Sequence, residues 1–243
     1  MTEADHYQKG RALAEEGKHW EALELYEKVL EESQEDARLW NNRGVSLASL
    51  GRTSEAIESF ERALMIEREY PAVWHNLGIA LLEAGRTGDA LDAFLQVVEL
   101  DPEHRPALLS AASCLLETGR YREARGYYQK AALVEEDALA LNGLGLCNLN
   151  LGEVEAAKEN FEAALDLNPA DQKVWFNRAV ALIELGDLEE AQRAFDRALE
   201  LEPGDLDALR GKGYCLIKMG KVQEGRRLME ESGELGFGIT SRN

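Results

Sequence analysis

Seven glycines, Gly17, Gly51, Gly85, Gly119, Gly152, Gly186 and Gly220, stand 34, 34, 34, 33, 34 and 34 residues apart. Spacing held this tightly through most of a 243-residue chain means that one short structural unit is used again and again. With the glycine set as position 15, units begin near Glu3, Ala37, Pro71, Arg105, Ala138, Gln172 and Leu206, and other columns fall into register. Position 8 is small throughout (Gly10, Gly44, Gly78, Ala112, Gly145, Ala179, Gly213), and so is position 20 (Ala22, Ala56, Ala90, Ala124, Ala157, Ala191, Gly225). Position 24 is large: Tyr26, Phe60, Phe94, Tyr128, Phe161, Phe195 and Met229. Position 4 holds Trp40, Trp74 and Trp175 in three units and Leu108, Leu141 and Leu209 in three others.

Between these columns apolar residues recur at steps of three and four, as in Ala56, Ile57, Phe60, Ala63 and Leu64, which is one face of an amphipathic helix. Each unit therefore reads as a helix, a glycine turn and a second helix. Small residues at positions 8 and 20 let the two axes approach, and the large side chain at 24 fills the space beside them. The five prolines, Pro71, Pro102, Pro106, Pro169 and Pro203, lie at the junctions between units, where a missing N–H and a fixed φ stop one helix or start the next.

The pattern W-x-x-L-G-x-x-L-x-x-x-G, then A-x-x-x-F-x-x-A and often Pro, resembles the tetratricopeptide repeat family. Trp74, Leu77, Gly78, Leu81, Gly85, Ala90, Phe94 and Pro102 match it closely, and the resemblance runs from about residue 3 to 234. Departures are local: His6 and Lys9 occupy apolar positions, Arg43 and Arg178 stand where Leu is usual, and the seventh unit has Gly225, Met229 and Ser232. The resemblance implies an all-α fold, a right-handed superhelical α-solenoid of about seven antiparallel helix pairs, with the first helix of each pair lining a concave groove. One solenoid domain is expected over 1–243, in units near 3–36, 37–70, 71–104, 105–137, 138–171, 172–205 and 206–234. A lone helix pair cannot hide its apolar faces, so neighbours must cover them and the ends must be finished. Residues 235–243, with Leu235, Phe237 and Ile239, are expected to be a C-terminal tail or cap, folded back over the last apolar face or else frayed.

Apolar residues make up 45% of the chain and charged residues 30%, enough for a sizeable core. The formal charge of −19 repels phosphate backbones and anionic membrane surfaces, so neither nucleic acid nor membrane is expected as a partner. The first residues lack the basic and apolar regions of an export signal and no apolar run is long enough to span a bilayer, which points to the cytoplasm.

Little suggests chemistry. Cys114, Cys147 and Cys215 all fall at position 10, where other units have Ala12, Ser46, Ala80 and Ala181, and read as small packing residues. His6, His19, His75 and His104 fall at positions 4, 17, 5 and 34, read as lying on different faces and without a ligand partner. The glycine-rich stretches Gly143 to Gly145 and Gly211 to Gly213 sit at the close-packing positions of first helices rather than after strands, so they are not phosphate loops. No catalytic motif is present and no insertion interrupts the units to make a pocket, so neither an enzyme, a cofactor nor a metal is expected.

The informative surface is one face of the first helices. Position 6 carries Asn42, Asn76 and Asn177 and position 9 carries Arg11, Val45, Ile79, Leu146 and Val180. Tyr7 and Phe176, at position 5, add apolar area at the rims. The resemblance places this face inward. An amide offers a donor and an acceptor together, so it can pair with a peptide unit whatever that unit's side chain, while aliphatic neighbours hold apolar side chains. The chain is thus expected to be a non-catalytic interaction module or adaptor that takes an extended peptide or partner helix in its groove. A self-associating assembly scaffold and a substrate-recognition subunit of a separate enzyme are the alternatives. The two-carboxylate clamp by which some of this family hold chaperone tails is not expected, because its positions read Tyr7, Arg11, Asn42, Ala72 and Asn76, or Leu109, Ser113, Gly143, Lys173 and Asn177.

Overall fold

The computed structural model describes residues 2–233; the expected tail 235–243 lies outside the described residues. Among the described residues there are fourteen α-helices and no strands. They form pairs: α1 (Glu3–Glu15) with α2 (His19–Glu32), α3 (Ala37–Ser49) with α4 (Thr53–Ile66), and α5 (Pro71–Glu83) with α6 (Thr87–Leu100). Then follow α7 (Arg105–Glu117) and α8 (Tyr121–Val134), α9 (Ala138–Asn150) with α10 (Val154–Leu167), α11 (Gln172–Leu185) with α12 (Leu188–Leu201), and α13 (Leu206–Lys218) with α14 (Val222–Glu231). Two compact units emerge, unit 1 spanning Met1–Cys114 and unit 2 spanning Leu115–Asn243, with the division inside α7.

Each turn between paired helices uses the same device. The seven repeat glycines have φ between 72° and 87°, a left-handed conformation that only glycine adopts without strain. That lets the next residue's N–H reach back to a carbonyl of the first helix, as in Arg52 N to Leu47 O at 2.9 Å and Asp187 N to Leu182 O at 2.9 Å, which ends the helix in a Schellman arrangement. Four first helices are capped by aspartates: the Asp36, Asp137, Asp171 and Asp205 carboxylates accept backbone N–H bonds at the starts of α3, α9, α11 and α13, while α5 starts on Pro71 without a side-chain cap bond. Second helices begin straight out of the turn, with no side-chain cap bond at α2, α4, α6, α8, α10, α12 or α14.

The small-against-large columns meet as expected. A Cβ on Gly44 would come within 2.5 Å of the Phe60 ring, and one on Gly145 within 2.4 Å of Phe161. Position 6 uses the same device between consecutive pairs: Gly143 lies against Tyr128 and Gly211 against Phe195, at 2.4 and 2.3 Å for the added Cβ. The last pair is different. With Met229 in place of a ring, Gly213 and Gly225 face each other, and a Cβ on Gly225 would come within 2.5 Å of the Gly213 carbonyl. The departures from the family pattern at Arg43 and Arg178 are accommodated by partners: Arg43 donates to Ser59 Oγ at 2.7 Å and pairs with Glu27, while Arg178 pairs with Glu162 at 2.9 Å.

Candidate functional site

The three asparagines at position 6 each donate across to the preceding first helix. Asn42 Nδ2 donates to the Tyr7 hydroxyl at 3.0 Å, Asn76 Nδ2 to Asn41 Oδ1 at 3.0 Å, and Asn177 Nδ2 to Asn142 Oδ1 at 3.1 Å. Each bond spans 35 residues, so it ties one helix pair to the one before it. The acceptors sit at position 5, and Asn41 and Asn142 were not among the sequence candidates. Two Asn at 35-residue separation were the available signal. Burial pushes the Tyr7 hydroxyl above its ordinary value, so it stays protonated while it accepts from Asn42.

In unit 1 these amides border two clefts that share Val45. The cleft between α1 and α3, about 220 Å³, is lined by Arg11, Glu15, His19, Asn42, Val45 and Ser46 among others. The cleft between α3 and α5, about 230 Å³, is lined by Val45, Asn76, Ile79 and Glu83 with the edge of Phe60. Val45 and Ile79 are 38% and 42% exposed, and Arg11, loosely paired with Glu15 at 3.5 Å, is also exposed. His19 and Ser46 were not expected here; His19 Nδ1 and Ser46 Oγ are buried polar atoms without a hydrogen-bond partner among the described residues. Polar atoms left so in a protein surface cleft are where water or a ligand's polar group fits.

The equivalent face of unit 2 is closed over. Leu146 and Val180 are 2% and 6% exposed, and Asn177 and Phe176 are fully buried. Phe176 is not at a rim: its ring lies edge-on to Phe195 with centroids 5.5 Å apart. The structure thus presents Tyr7, Arg11, Asn42, Val45, Asn76 and Ile79 together in unit 1, and places Leu146, Phe176, Asn177 and Val180 inside unit 2.

Two further groups bear on chemistry. All three cysteines are buried, and burial pushes the Cys147 and Cys215 thiols up to about 12, which makes these two inert packing groups. His75 and His104, expected on different faces, are neighbours with ring centroids 5.3 Å apart, because position 34 leads into the next first helix and returns beside position 5. His75 also lies against Phe94, and burial followed by the proximity of His104 lowers its pKa. His104 Nδ1 accepts the Ala107 N–H at the start of α7. Among the described residues no cluster of three or more His, Cys, Asp or Glu could hold a metal ion, and no helix is long and apolar enough to cross a membrane.

Models of the tetratricopeptide repeat match residues 7–73 and 75–138, and 138–171 and 172–205. No curated protein matches the chain. Among solved structures it is similar to a tetratricopeptide repeat protein from Parabacteroides merdae, at 17% identity over 97% of this chain and 94% of that one, with a TM-score of 0.74. It is similar to YrrB, described as a protein of this family with an unusual peptide-binding site, at 23% identity over 77% of this chain and 97% of that one, TM-score 0.68. MamA from Desulfovibrio magneticus is 25% identical over 70% of this chain and 96% of its own, TM-score 0.66. With matches to the repeat through residues 7–205, on helix pairs of the expected length and turn, the chain belongs to the tetratricopeptide repeat family.

Proposed function

We propose that this protein-interaction repeat module is non-catalytic and takes an extended peptide or partner helix across α1, α3 and α5. The observation that carries this reading is the pair of adjoining clefts around Val45. They set exposed aliphatic area from Val45 and Ile79 beside the amides of Asn42 and Asn76 and the cation of Arg11. Apolar side chains of a bound segment would enter the clefts at a spacing set by successive first helices, and main-chain groups would meet the amides. The inward use of each amide N–H holds its remaining groups in place, which lowers the ordering cost of binding. The peptide-binding site described for YrrB is consistent with this use of the fold. Three thiols in apolar packing positions suit a reducing compartment, and we place the chain in the cytoplasm on that ground.

The test is selection of peptides from a display library against the full chain. Selected peptides should bind Val45→Asp/Ile79→Asp at least about tenfold more weakly, with helicity unchanged, because a carboxylate in either cleft removes apolar contact worth on the order of 1.4 kcal/mol or more. Peptides that bind this variant as tightly as the parent would refute the reading.

A further inference from the structure

The three tryptophans at position 4 are held in the same way. The indole N–H of Trp40, Trp74 and Trp175 donates to the backbone carbonyl of Gln34, Arg68 and Pro169, at 3.0, 2.8 and 2.9 Å. What lies over the rings differs. The Arg43 guanidinium stands 5.8 Å from the centre of the Trp40 ring, and the Arg178 guanidinium 5.8 Å from the centre of Trp175. Both arginines occupy position 7, and each pairs with the glutamate at position 25 of the preceding unit: Arg43 with Glu27 at 3.5 Å, Arg178 with Glu162 at 2.9 Å. The two arginine side chains are 17% and 16% exposed, so each guanidinium is packed in place. Trp175 carries a second cation, Arg197 of position 26, also at 5.8 Å. The Trp74 copy keeps the ring and the carboxylate but has no such cation. Position 25 of the preceding unit is Glu61, while position 7 is Leu77 and position 26 is Gln96. A cleft of about 460 Å³ opens at this point, lined by Glu61, Arg68, Trp74, Leu77, Asp92 and Gln96 among others. Among the described residues no cation lies over Trp74 and none pairs with Glu61, and the nearby Arg86 is taken up by Asp89.

We propose that this cleft between α4, α5 and α6 receives an arginine side chain from a partner protein, which supplies from outside the guanidinium that the chain provides for itself at Trp40 and Trp175. A planar guanidinium stacks on an indole and still donates parallel N–H bonds to a carboxylate, which an ammonium group cannot do together. The charges favour it: Glu61 and Asp92 face the cleft against the single cation of Arg68, once Arg86 and Asp89 are paired. The formal charge of −19 sets two copies of this chain against each other, so a more basic partner is the better source. A free amino acid is a poor fit. Glu61 is exposed, and one ring and one exposed carboxylate each contribute little, so the arginine has to arrive on a chain that adds contacts beside it. Its own carboxylate would also meet Asp89 and Asp92.

The site is separate from the peptide cleft proposed above, because Trp74 and Leu77 line a different cleft from Asn76 and Ile79 of the same helix. The test follows the tryptophan ring signals of the full chain by NMR while the capped peptide acetyl-Gly-Arg-Gly-amide is added at constant ionic strength. The Trp74 signals should move with the peptide, and those of Trp40 and Trp175, already covered, should not. The same peptide with citrulline, which has the shape of arginine without its charge, should bind about tenfold more weakly, and Glu61→Gln should weaken the arginine peptide by about threefold or more. Leu77→Arg places the missing guanidinium in the chain itself and should abolish the response at Trp74. The converse variant, Arg43→Leu, should create a response at Trp40, where Glu27 and the ring remain; it also covers the case of a Leu77→Arg chain that does not fold. Equal shifts at all three rings, equal binding of the citrulline peptide, or an unchanged response in Glu61→Gln would overturn the proposal. So would movement of the Trp74 signals with protein concentration alone, lost in Glu61→Gln, since the arginine would then come from a second copy.

Discussion

The face built by α1, α3 and α5 and the face built by α9, α11 and α13 are written in the same columns, yet one presents its aliphatic residues and the other hides them. Val45 and Val180 make the contrast sharpest, because residue type, position and flanking helices are all matched. A repeat pattern therefore specifies where a side chain points on its own helix, but not what lies over it.

The largest way to probe this contrast is to remove one packing ring from each unit. Phe60→Ala in unit 1 and Phe161→Ala in unit 2 should each cost about 3–5 kcal/mol, measured by urea denaturation. Both rings are fully buried against a glycine, so no other side chain can collapse into the space easily. Two separated transitions in each variant, with only the mutated unit shifted, would show that the units unfold independently; a single shifted transition would show one cooperative block.

Next in size is the exchange of a charge for the two valines. Val180→Asp should destabilise by about 2–4 kcal/mol because a carboxylate is forced into a dry site, whereas Val45→Asp should stay within about 0.5 kcal/mol. Equal costs would remove the distinction between the two faces. The amides give a smaller version of the same comparison: Asn177→Ala, fully buried, should cost about 1–3 kcal/mol by leaving Asn142 without its donor, and half-buried Asn76→Ala about 1 kcal/mol or less.

The smallest effect is one of pH. All four histidines of the chain lie in unit 1, and His75 is held neutral by burial and by His104. Its folded pKa is below its unfolded value of about 6.5, so the unfolded state takes up the proton first as pH falls. Unit 1 should therefore keep its full stability above about pH 7 and lose some as pH drops below 6.5, with the loss levelling off below the folded pKa. Unit 2, without a histidine, should show no such change over that window, and His75→Gln should abolish it in unit 1. Thermal melts at pH 7.5 and 6.0 read the difference.

Much of the fold was legible because repetition multiplies a weak signal. One glycine after an amphipathic stretch says little, but seven in register locate every turn, and the small and large columns state which helices touch. The site was legible only to the level of a helix face. Position 6 was identified, but the amide bonds run between neighbouring pairs, so their acceptors at Asn41 and Asn142 appear only when residues 35 apart are compared. Phe176 was read at a rim because its position number does not say that Phe195 stands beside it. His75 and His104 were read as separate for a related reason: position 34 belongs by number to one unit and by space to the junction with the next. Ser46 offered no signal at all, since it stands in a column of alanines and cysteines and differs only in having a hydroxyl to satisfy.

The single 33-residue interval has a consequence of its own. From α3 to α13, every first helix spans 13 or 14 residues and every second helix 14, while the connector 135–137 is one residue shorter than its counterpart 67–70. Growth or loss of chain has thus been absorbed where no side chain has to find a counterpart one period away. A residue added inside any helix would rotate everything beyond it by about 100° and take the rings out of register with the small residues that receive them, whereas the connectors are the joints at which such a protein can be lengthened, tagged or recombined.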